Sequence, residues 1–99
     1  MLETFTPASF QEHVGSRFRL SLPAQEPLEL ELGEIVLYEE NPDHAPRKQP
    51  FSLVLVGPLR PVLQQAIYSL EHAALGKMEV FLVPIGPDKR GMRYEAAFN

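Results

Sequence analysis

Residues Leu28–Leu37 read LELELGEIVL. Leu28, Leu30 and Leu32 alternate with Glu29 and Glu31, the two-residue period of a strand with one buried and one wetted face. Beyond Gly33 the parity changes, because Ile35 and Leu37 are odd-numbered while the preceding leucines are even. One strand can keep both sets on one face only if a residue drops out of the ladder, so the slip predicts a β-bulge or bend at Gly33–Glu34. That is the distortion a strand needs to turn the corner of a barrel.

The same period extends outward. Phe18, Leu20 and Leu22 oppose Arg17, Arg19 and Ser21 across a preceding strand. Phe51–Val56 is apolar on both alternating sets, which suggests a central strand covered on both faces or a barrel strand touched by a helix outside. Ile67–His72, Met78–Ile85 and Met92–Phe98 give three more strands, punctuated by Ala74-Leu75-Gly76 and by the turn 86–91. Six short strands with Gly/Pro turns predict an all-β, mainly antiparallel domain, a small six-stranded barrel or barrel-like sandwich. Closure removes exposed edges and favours the barrel. Thr6-Pro7 opens one short N-terminal helix over 7–14, with Phe5 and Phe10 as a hydrophobic staple and Gly15 just past its end, placed to plug or cover one end of the barrel. The proline-rich stretch 41–50 reads as a surface loop and 61–65 as an irregular connection or a single helical turn.

Ninety-nine residues with 44% hydrophobic content suit a single domain over 1–99, since so short a chain cannot enclose two cores. Thirteen acidic against nine basic side chains leave a net charge of −4, the reverse of a nucleic-acid footprint. No apolar run is long enough to span a bilayer and the N-terminus lacks the pattern of a signal peptide, so a cytoplasmic protein without membrane contact is expected. The chain has no cysteine, which excludes disulfides, thiolate metal sites and a cysteine nucleophile.

The histidines His13, His44 and His72 match no metal-ligand spacing, and neither metal nor cofactor is expected. His13 belongs to the last turn of the helix, where its cationic form suits the dipole; Ser9 four residues earlier could reach it, but no acid or oxyanion donor is local. Glu71 and His72 point to opposite faces of their strand, so the carboxylate cannot serve the ring. His72 falls in line with Tyr68 and reads as a core histidine bonded to a carbonyl; with an open barrel mouth, His72, Tyr68 and His13 would be ligand-binding candidates. Arg47-Lys48 and Lys89-Arg90 are solvated loop tips that would form one partner-binding patch if both loops share an end of the barrel.

Two stretches carry a resemblance. Phe10, His13, Val14, Gly15, Phe18 and Leu20 fit FxxHVGxxFxL. Tyr68, Leu70, Glu71, His72, Leu75, Gly76, Glu79, Phe81, Leu82, Val83, Pro84 and Gly86 fit YxLEHxxLGxxEvFLVPiG, and the ending GMRYEAxFN matches too. On these the chain resembles a small bacterial domain-of-unknown-function family (DUF6916-like). The resemblance implies a β-rich domain with no established activity, substrate or cofactor, whose relatives are encoded beside proteins resembling phage-tail collar components. The expected function is therefore a non-enzymatic protein–protein interaction or assembly module with an unidentified protein partner. Homo-oligomerisation through outward Val54 and Val56 is a variant of it. The alternatives are a small-ligand-binding barrel and an enzyme with a histidine base.

Overall fold

In the computed structural model, which describes residues 5–38 and 50–98, alternation sends Phe18 and Leu20 inward on β1 (Arg17–Leu20) and Arg17 and Arg19 outward. Even-numbered residues also face the core on β4 (Ala66–His72), on β5 (Gly76–Pro87) as far as Leu82, and on β6 (Met92–Phe98). On β3 (Phe51–Gly57) the inward residues are odd, and β2 (Leu28–Leu37) changes from even to odd. The change falls where the leucine pattern slips: Leu32 pairs with Leu55 and Glu34 with Val54, leaving Gly33 out of the ladder. Every pairing is antiparallel and the strands close in the order β1-β2-β3-β6-β5-β4, a barrel and not a sandwich.

Each end of the barrel has its own stopper. At one end the helix α1 (Pro7–Gln11) inserts Phe10 against Phe51 and Phe98, whose rings stack 4.8 Å apart. Phe5 lies 5.2 Å from Phe10 as the staple predicts, and the Thr6 amide donates to Ser9 Oγ at 3.0 Å. At the other end the connection between β3 and β4 buries Leu63, whose amide donates to the hydroxyl of inward Tyr94 at 2.8 Å. Between the stoppers Leu20, Leu30, Leu32, Leu53, Leu55 and Leu70 are fully buried. Six strands enclose a space that side chains of this size fill.

Three expectations are corrected. The helix stops at Gln11 instead of residue 14, because the sheet takes the following backbone: His13 N bonds Phe10 O in a tight turn, Gly15 adopts φ +93°, and Gly15 N and Ser16 O then pair with Leu32. β5 begins at Gly76 and runs to Pro87, with a register shift between Pro84 and Gly86. Val54 and Val56 are only 8% and 9% exposed, so they offer no oligomer face. Arg90 reaches back to Glu31 beside Val56, and Glu34 and Glu95 flank Val54 in register; among the described residues, neighbouring side chains and not a helix cover this strand. Among the described residues no helix is long and apolar enough to cross a membrane.

The connection between β1 and β2 holds Ala24 at φ +59°. A left-handed residue with a Cβ is strained by about 1–2 kcal/mol, part of which glycine's greater unfolded freedom offsets. Ala24→Gly should therefore raise stability by roughly 0.5 kcal/mol, seen as a higher urea midpoint with an unchanged slope.

Candidate functional site

The turn after α1 and the turn between β4 and β5 meet at one end of the barrel, and they bring the two quoted sequence stretches together. His72 ends the inward row of β4 and is 6% exposed. Its ring lies 4.8 Å from that of His13, edge to face, and 4.8 Å from that of Phe18. Nε2 is 2.8 Å from Ser16 Oγ, while Nδ1 accepts from the amides of Ala74 at 3.0 Å and Leu75 at 3.2 Å. The carbonyl partner expected for His72 is thus replaced by a hydroxyl and two amides.

These partners fix the tautomer. Ser16 spends its only proton on the His13 carbonyl, so it must accept from His72, and Nε2 carries the hydrogen. Nδ1, facing two N–H donors, must be bare. A serine nucleophile needs the opposite arrangement, a bare Nε2 to take its proton and a carboxylate on Nδ1–H. The Ser16–His72 contact is therefore a clamp between two turns, despite its dyad-like distance. Both nitrogens are committed, which leaves neither for a metal. Among the described residues no group of three or more histidine or carboxylate side chains could hold an ion.

Burial, and secondarily the adjacent His13, hold the His72 imidazole below its ordinary value of 6.5. Protonation would also place a hydrogen on Nδ1 against the amides of Ala74 and Leu75. Because the folded state binds this proton less readily than the unfolded chain, the clamp contributes fully above pH 6.5 and its contribution is lost as pH falls below it. Stability should decline there with a slope of at most about 1.4 kcal/mol per pH unit, the value for one proton. Urea unfolding of the wild type and of His72→Gln at pH 7.5 and pH 5.5 checks this; the substitution should flatten the slope.

The other candidates are dispersed. Tyr68 lies four residues from His72 on the same strand, about 13 Å away, with fully buried Leu70 between them, and its hydroxyl donates to Gln64 O at 2.7 Å. Tyr68 therefore shares no pocket with His13 and His72. Ser9 turns back to Thr6 and not toward His13. Arg47 and Lys48 fall outside the described residues. Lys89 is exposed, and Arg90 is bound to Glu31 and shapes its turn through its backbone N–H, which donates to Asp88 Oδ1. The outer grooves near β1 and β2 are lined by such pairs, including Arg17–Glu29 at 3.1 Å.

Two features escaped the sequence reading. Ser16 sits at an unspecified position of its stretch, and nothing local marks it. Ile67 and Phe81 were legible: both are odd-numbered on strands whose inward residues are even, so parity alone turns them to solvent. They face each other across β4 and β5, 67% and 48% exposed.

The model of one protein family, described as Domain of unknown function (DUF6916), matches residues 5–98. No curated protein and no solved structure matches the chain.

Proposed function

We propose that this chain, which belongs to the DUF6916 family, works as a non-enzymatic interaction or assembly module that acts through its outer surface. The observation that carries this reading is the uncovered Ile67–Phe81 pair on the β4–β5 face. A small chain gains stability by burying such side chains, and contiguous exposed apolar groups on a soluble fold mark contact sites more often than chance. The full burial of the inward leucines favours the outer surface over the interior as the working face, and the His72 tautomer withholds the base that a serine would need. An assembly role is also what the phage-tail-like association of the resemblance implies.

Capture from the native host, with proteins and small molecules both identified by mass spectrometry, tests the proposal. A protein held by the wild type and lost from the Ile67→Ser/Phe81→Ser double variant is the expected result. A wild-type chain that associates with neither another protein nor itself, with or without a retained small molecule, would overturn it.

A further inference from the structure

The outer surface of β4 and β5 is built from three register pairs: Ile67 opposite Phe81, Ser69 opposite Glu79, and Glu71 opposite Lys77. Three ion pairs form within the chain among the described residues: Arg17 with Glu29, Arg90 with Glu31, Arg93 near Asp88. Glu71, Lys77 and Glu79 differ. They make no ion pair among the described residues, although Arg19 is Glu71's register neighbour on β1. Uncovered apolar side chains and charges of both signs outside any ion pair thus share one face.

The pattern is complementary to itself. A two-fold axis parallel to the strands, lying between β4 and β5, sets β4 of one molecule over β5 of the other while keeping every register pair at its own height. Ile67 then meets the partner's Phe81, Ser69 meets the partner's Glu79, and Glu71 meets the partner's Lys77, each contact occurring twice. An axis perpendicular to the strands would set the charged end of this face against its apolar end. Aligned packing of two sheet faces requires only the modest angle that strand twist supplies. We infer that the occupant of this face is a second copy of the chain, joined as an isologous dimer through β4 and β5. The inference rests on the interaction reading above and names the partner.

The apolar pair supplies the affinity, and the charge pairs at the rim set the register. So few residues a side fall well short of a standard interface, so the dimer should be weak, with a Kd of roughly 10–500 μM.

Sedimentation equilibrium from about 10 μM to 1 mM, a range bracketing that affinity, is the first measurement. Glu71→Lys alone and Lys77→Glu alone should each weaken association about tenfold or more, because both symmetric charge contacts then repel. An equimolar mixture of the two variants should regain wild-type association, since position 71 of one faces position 77 of the other with opposite sign. Ile67→Thr/Phe81→Thr, which keeps strand-forming side chains, should be monomeric; thermal melts confirm that each variant folds. The inference is overturned by a wild type that stays monomeric to the top of the range. It is equally overturned by a dimer indifferent to these substitutions, or by a mixture no tighter than its components. A monomeric wild type that still captures a protein lost on Ile67→Ser/Phe81→Ser removes the dimer and leaves the interaction reading intact; one that captures nothing removes both.

Discussion

Gly91→Ala should destabilise the barrel by roughly 3 kcal/mol or more, the sum of a backbone and a packing penalty. Gly91 closes the turn between β5 and β6 at φ +151°, a conformation side chains rarely adopt. A Cβ there would lie 2.2 Å from the carbonyl oxygen of Gly57 and 3.3 Å from Val56 Cγ1. The oxygen belongs to the last residue of β3, which pairs with Met92, so it cannot swing aside as a side chain would. Relief requires the turn to lift, and Asp88, which accepts from the amides of Arg90 and Gly91, would lift with it. Arg90 would then leave Glu31 and uncover Val56. Gly86→Ala supplies the comparison: its φ is +103° with nothing within 4 Å of the added carbon. That variant should lose only the backbone component, about 1–2 kcal/mol. Urea unfolding of both variants isolates the clash as the difference between them.

The contrast between these glycines shows what a sequence can and cannot carry. Parity is a local property, so Leu28–Leu37 gave away the bulge, the curvature and, with the turn residues, the closed barrel. Helix length was misjudged because capping signals at Thr6 and Gly15 say nothing of Leu32, seventeen residues beyond Gly15, which claims the intervening backbone for the sheet. The burial of Val56 depends on Arg90 returning from a turn more than thirty residues away, and that of Val54 on its register neighbours Glu34 and Glu95. The meeting of His13 and Ser16 with His72 likewise depends on strand order. Local spacing could mark each histidine as unusual but could not assign Ser16 as the hydrogen's acceptor. The exposed Ile67–Phe81 pair lies between these cases, since parity places both residues outside but only the register shows them side by side.

Phe10→Ala should cost about 4 kcal/mol, the usual loss for a buried phenylalanine truncated in a core. The residue is fully buried, and its ring lies 5.2 Å from Phe5, 5.9 Å from Phe51 and 5.4 Å from Phe98. α1 has five residues, and so short a helix does not persist in water without tertiary contacts. Phe10 is its only buried side chain, so removing the ring leaves the helix with no reason to stay docked. The consequence should travel along the chain. Release of α1 loosens the turn at 12–15 and with it Ser16, whose hydroxyl receives the His72 Nε2 hydrogen. Phe10→Leu keeps an apolar plug and loses only the ring pairs, so it should cost roughly 1–2 kcal/mol and retain the clamp. Histidine NMR distinguishes the two variants: the Nε2–H signal of His72 should persist at pH 7.5 in Phe10→Leu and exchange away in Phe10→Ala. A slow-exchanging signal in Phe10→Ala would show that the clamp stands without the helix, held by the sheet through Leu32 and the β1–β4 pairing.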